Sequence, residues 1–174
     1  MTTVIGKPST LALEYCIADA SMMMGYSRFW LGNASLGSIE ELVYLDGYVM
    51  GCLQDLRRKG TLHARYAHLQ GAALFHALDD DLRLSDQCAA ADSREDAYSY
   101  LLQCGTLFDV YTVFAYRNET GAFCVLWRLE SPVDDLPYSD LAAATGEIHF
   151  AEFAGEQLDA VIEQFAQVIN ATPS

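Results

Sequence analysis

Residues 107–130 alternate as a paired β-ribbon does, and they constrain the rest of the chain. Phe108, Val110, Thr112, Phe114 and Tyr116 fall on one side of an extended strand. Leu107, Asp109, Tyr111, Val113, Ala115 and Arg117 fall on the other. β-branched and aromatic residues fill both sets, as a pleated, half-buried surface requires. Asn118-Glu119-Thr120-Gly121 supplies the turn, with Gly121 free to take positive φ. The returning arm carries Phe123, Val125, Trp127 and Leu129 on one face. Helices and outer strands are expected around this ribbon. The reading is a single α+β domain over residues 1–174, an antiparallel sheet centred on the 107–130 hairpin with helices packed on it.

Upstream, Leu11, Leu13, Tyr15 and Ile17 alternate with smaller or polar residues and predict a first strand over 9–18. Met22-Met23-Met24 suits either a loop folded onto the core or an adaptable contact surface. Residues 25–31 read as a strand, Gly32-Asn33 as a turn, and 34–37 as a short returning arm. Ser38 and Glu41 have the spacing of a capping box. Ile39, Leu42, Val43, Val49, Met50, Leu53 and Leu56 then follow near helical spacing up to Gly60. Gly47 and Gly51 oppose that helix by about 1 kcal/mol each. Either another element packs closely there or the helix breaks near Asp46. Arg57-Arg58-Lys59 suits the helix dipole, with anion binding as the alternative.

A second helix is predicted over 61–84, with Leu62, Tyr66, Leu69, Ala73 and His76 on one face. Asp79-Asp80-Asp81 ends it with charges of the wrong sign for a helix C-terminus, a placement that points towards use. Ser93 can cap a short helix reaching Gln103. A short strand is expected over 146–153, with Ile148, Phe150 and Ala151 towards the core. Leu158, Val161, Ile162, Phe165, Val168 and Ile169 then form the apolar stripe of a final helix.

Charge is the most informative bulk property. The net charge is −14, and the nine acidic residues of 129–174 are matched by no lysine or arginine. Such a surface repels nucleic acid and anionic membrane and steers basic partners, although simple solubility also accounts for it. With 174 residues, 52% of them hydrophobic, the chain can bury about two-thirds of its unfolded surface. Met1-Thr2-Thr3 has no basic run, Lys7-Pro8 interrupts the early apolar residues, and no apolar stretch approaches the ~18 residues of a membrane span. The five dispersed cysteines, Cys16, Cys52, Cys88, Cys104 and Cys124, suit reduced thiols. Together these features predict a cytoplasmic protein.

Catalytic motifs are weak. His63, His68, His76 and His149 offer no i, i+4 pair, and there is no HExxH or CxxC, so neither metal nor cofactor is expected. Asp79, Asp80, Asp81, Asp134 and Asp135 lack the spacing of a calcium loop. They read as solvated charge, a weak cation site, or paired carboxylates whose separation would decide. Tyr26, Phe29 and Trp30 beside Arg28 are either core or, where exposed, interface anchors.

Three segments carry a family resemblance: VIGKPSTLALEY, then SRFWLGNASLGSIEELVYLDGYVMGCLQDL, then FDVYTVFAYRNETGAFCVLWRL. They resemble bacterial immunity proteins of polymorphic toxin systems, above all the group called immunity protein forty-two and its neighbours. The matching positions are Ile5-Gly6, Pro8, Leu11 to Glu14, Gly32, Leu36 and Gly37. The region 85–99 and the terminal helix depart from that pattern. The resemblance implies a non-enzymatic cytoplasmic inhibitor of a toxin delivered by contact-dependent inhibition or type VI secretion. A basic nuclease or nucleotide-directed enzyme is the expected toxin. The acidic residues Asp79, Asp80, Asp81, Asp134, Asp135 and Asp140 would then cover its substrate site, and homodimerisation is left open. A small cytosolic enzyme or a metabolite-binding module is the competing reading.

Overall fold

A computed structural model describes residues 1–84, 91–132, 135–136, 138–144 and 146–172. The chain opens with five strands: β1 (Thr3–Gly6), β2 (Leu11–Asp19), β3 (Met24–Leu31), β4 (Ala34–Leu36) and β5 (Leu42–Tyr44). They form one antiparallel sheet in the order β1-β2-β3-β4, and β5 shares the same edge of β3 with β4, end to end. Gly32 (φ 57°) and Asn33 (φ 70°) both take the left-handed conformation, which makes the β3–β4 connection a tight two-residue hairpin.

The 107–130 ribbon is realised as β6 (Tyr111–Arg117) and β7 (Phe123–Leu129), with Tyr111 opposite Leu129 and Arg117 opposite Phe123. Asn118 Oδ1 accepts the amides of Thr120 (3.1 Å) and Ala122 (2.9 Å), while Gly121 (φ 86°) completes the turn. β8 (His149–Phe153) pairs with β7 to give a second, three-stranded sheet. The fold is α+β, as expected. The ribbon, however, organises the smaller sheet, and the larger one is built from the first 44 residues.

Both faces of the ribbon are buried. Val113, Ala115, Val125 and Trp127 face a core shared with Leu11, Leu13, Phe29, Leu31 and Leu36 of the larger sheet. Phe114, Tyr116, Cys124 and Leu126 face a second core, closed by α2 (Gly71–Leu82) and α3 (Ala91–Tyr100). Phe75 meets Phe114 edge-on at 5.4 Å there. The terminal helix α4 (Gly155–Ala171) follows its predicted stripe, burying Leu158, Val161, Ile162 and Phe165. Phe165 packs edge-on against Tyr15 of β2 at 5.3 Å.

Three expectations are corrected. Ser38 caps no helix: Leu42–Tyr44 is a strand, Leu45–Met50 is a π-helical turn, and α1 proper runs only over Gly51–Arg58. Apolar residues at 42, 43, 49 and 50 fit helical spacing, but pairing of Leu42 with Tyr26 and of Tyr44 with Met24 outweighs it. The second helix begins at Gly71 because Thr61 is bridged to Arg117 of β6 and 64–68 form turns. Its buried face is therefore Leu74, Phe75 and Leu78, while Ala73 and His76 face water. In β8 the core residues are Ala151 and Phe153, and Phe150 is half exposed, one position out of the expected phase.

Candidate partner-binding surface

The outer face of the five-stranded sheet follows from the period of two. Along β3 every odd position from Gly25 to Leu31 is buried, and Met24, Tyr26, Arg28 and Trp30 are left half exposed. On β2 their cross-strand partners are Cys16 (to Tyr26), Glu14 (to Arg28) and Ala12 (to Trp30). Glu14 is the hub of this face. Its Oε2 accepts hydrogen bonds from Arg28 Nε at 2.8 Å and Trp30 Nε1 at 2.9 Å, and the Arg28 guanidinium lies 4.7 Å from the Trp30 ring centre. Burial pushes the Glu14 carboxyl up, but the hydrogen bonds from Arg28 and Trp30 outweigh it and hold the group below the usual carboxylate range.

Beyond Tyr26 the face turns apolar and exposed. Met22 (64% exposed), Leu42 (50%), Tyr44 (40%) and Tyr48 (43%) are four of the eight large hydrophobic side chains most open to solvent among the described residues. Met22, Met24, Leu42, Tyr44 and Tyr48 line a shallow groove of about 570 Å³. The rings of Tyr44 and Tyr48 meet edge-on at 6.2 Å. Each rests on a glycine: a Cβ at Gly47 would run into the Tyr44 ring, and one at Gly105 (φ 52°) into the Tyr48 ring. Gly47, a liability in a regular helix, is thus required by the side chain three positions earlier.

The six acidic candidates fall into separate settings. Asp79 is 7% exposed, accepting Arg83 Nε at 2.7 Å and Arg128 Nη2 at 3.1 Å. Arg128 also bonds Glu130 and stacks over Phe75 at 4.8 Å. Asp81 accepts the Tyr66 hydroxyl at 2.6 Å; burial first, and then the Asp81 charge, raise the Tyr66 hydroxyl well above its ordinary value. Asp80 and Asp135 are exposed. Asp140 takes the Ser38 hydroxyl on one oxygen and the Ile39 amide on the other, 3.8 Å from Arg28. Asp134 lies outside the described residues, as does Cys88. Asp79, Asp81 and Asp140 therefore have internal partners that the sequence does not reveal, and among the described residues no hydrogen bond or ion pair joins Asp79–Asp81 to Asp135 or Asp140.

Of the aromatic candidates beside Arg28, Tyr26 and Trp30 lie on this face and Phe29 is core, whereas helical spacing in the sequence hides Leu42, and Tyr44 and Tyr48 carry no motif. The available signal was the run Leu42-Val43-Tyr44, strand-like in composition and followed closely by Gly47. Cys16, Cys52, Cys104 and Cys124 are free thiols. Among the described residues no cluster of three or more His, Cys, Asp or Glu side chains is placed to hold a metal ion. No helix among them is long and apolar enough to cross a membrane.

No family model matches the chain, and no curated protein matches it. Among solved structures, the crystal structure of CdiI from Burkholderia dolosa AUO158 is similar along its whole length. The TM-score is 0.64 at 14% sequence identity, covering 95% of this chain and 99% of the CdiI chain. The two share a fold.

Proposed function

We propose that this chain is an immunity protein that binds and neutralises a cognate toxin of a contact-dependent inhibition system. The observation that carries this reading is the end-to-end likeness to CdiI, a contact-dependent inhibition immunity protein. The resemblance of the β1–β4 and hairpin sequences to polymorphic-toxin immunity proteins, the immunity protein forty-two group among them, supports the same class. Inhibition by masking requires no catalytic machinery.

In its finer form, the reading has the protein acting in the producing cell's cytoplasm on a basic toxin, a nuclease or nucleotide-directed enzyme that reaches neighbours by contact-dependent or type VI delivery. The surplus of negative charge supports a cationic partner and disfavours nucleic acid or anionic membrane. Of the candidate residues, Asp80, Asp81, Asp134 and Asp135 would steer the toxin by charge. Asp79 and Asp140 would contribute mainly by holding the surface in place.

The test is co-expression. The toxin domain encoded beside this gene is expected to arrest cells when expressed alone, and co-expression of this chain to restore growth. Continued arrest with both proteins present and soluble would overturn the reading.

A further inference from the structure

We propose that the groove of Met22, Met24, Leu42, Tyr44 and Tyr48, at the β5 end of the open sheet face, is the apolar anchor site for a cationic partner protein. The proposal rests on the toxin-binding reading above and names the surface that performs it.

Three independent features converge on this groove. Exposed apolar area is concentrated here, where a solvated antiparallel sheet normally alternates to polar residues. The two tyrosines are held before any partner arrives, because glycines at 47 and 105 leave the space that their rings occupy. A pre-seated aromatic loses little freedom on binding, and such residues dominate interface energetics. The π-helical turn Leu45–Met50, a rare geometry that recurs at functional sites, carries Tyr48 to within ring contact of Tyr44.

Charge selects the occupant. Two exposed carboxylates adjoin the groove, Asp19, whose Oδ1 accepts the Ser21 and Met22 amides, and Asp46, while the one basic residue of β3 is Arg28. Arg28 is already held by Glu14 and faces Asp140. Asp46, exposed, lies between the two tyrosines in sequence, and no lysine or arginine lines the groove. An apolar centre with an acidic rim fits a protein that presents an aliphatic or aromatic patch ringed by lysine and arginine. A second copy of this chain would bring the same acidic rim against itself.

The experiment uses the full chain and the purified toxin domain encoded beside its gene. Hydrogen exchange is expected to slow at residues 21–24 and 42–48 on adding the toxin. In calorimetry, Leu42→Arg and the double variant Tyr44→Ala/Tyr48→Ala are expected to bind at least ~30-fold more weakly. Tyr98→Ala, which removes an aromatic 60% exposed on α3, should bind like the parent. Protection elsewhere, with both groove variants binding normally, would overturn the groove and leave the immunity reading standing. A dimeric parent that Leu42→Arg converts to monomer without loss of toxin binding would assign the groove to a second copy and also overturn the proposal. Absence of any binding by the parent would remove both readings.

Discussion

Asp140 grips Ser38 across 102 positions of sequence: one carboxylate oxygen accepts the Ser38 hydroxyl at 2.6 Å, and the other accepts the Ile39 amide at 2.9 Å. Ser38 Oγ in turn accepts the Glu40 amide at 3.0 Å, and Glu40 takes the Ser139 amide at 2.8 Å. The two segments are thus stitched reciprocally, and the approach to β5 is fixed by a loop from the far end of the chain. Asp140→Ala leaves the Ser38 hydroxyl and the Ile39 amide without their acceptor. A loss of about 2–3 kcal/mol is expected in urea denaturation, with Asp140→Asn recovering part of it.

Glu14 makes this face sensitive to acid. Its carboxyl is held below the ordinary range, so the folded state favours the ionised form more than the unfolded chain does. The stabilisation is fully present above the unfolded pKa near 4.5 and is lost as pH falls through the lower folded value. Glu14→Gln is expected to cost about 1–2 kcal/mol at pH 7 and to flatten this part of the acid limb. Urea midpoints measured from pH 7 down to pH 3 would show the parent and variant curves converging at the acid end.

Asp79 and Asp80 are neighbours in sequence with opposite consequences. Asp79→Asn withdraws the charge that Arg128 and Arg83 share, and Arg128 lies half buried against Phe75. About 1–3 kcal/mol of destabilisation is expected, the range for hydrogen bonds to a charged group, because Arg83 is exposed and Arg128 keeps Glu130. Asp80→Asn, at an exposed position, should change the denaturation midpoint within the usual surface range of about ±0.5 kcal/mol. Equal effects at the two sites would contradict the assigned roles.

Gly105 tests the seating of Tyr48. Alanine there must adopt φ 52° and place its methyl where the Tyr48 ring lies. A cost of at least about 1 kcal/mol is expected from the left-handed backbone alone, together with a change in the tyrosine near-ultraviolet dichroism. Gly121→Ala, at φ 86° with open space around its Cβ direction, carries the backbone strain without the ring collision and is the matched control.

The parts of the fold that were legible in the sequence are those decided by local pattern. The α4 stripe from Leu158 to Ile169 admits one period, and the 107–130 ribbon brackets a turn whose Asn118 and Gly121 declare it. Leu42–Tyr44 is ambiguous because the apolar pair Leu42-Val43, repeated seven positions later as Val49-Met50, satisfies a helix as well as a strand. Only the edge of β3 beside it, at Met24–Tyr26, breaks the tie. The acidic candidates illustrate the complementary limit. Arg83, four positions on, is a local sign of a partner for Asp79, but Arg128 and Ser38 lie 49 and 102 positions away, so nothing local shows that Asp79 is buried or that Asp140 is occupied.

The doubly covered ribbon has a consequence for how the molecule comes apart. β6 and β7 are a party wall: Val113 and Trp127 support one core, while Phe114 and Leu126, the adjacent residues on the same strands, support the other. Neither compartment can be emptied without exposing the back of the wall to water. Calorimetry is therefore expected to show one melting transition for the two cores. The outer side chains of the face bearing Tyr44 line neither compartment, so a substitution such as Leu42→Arg there leaves the wall behind it intact.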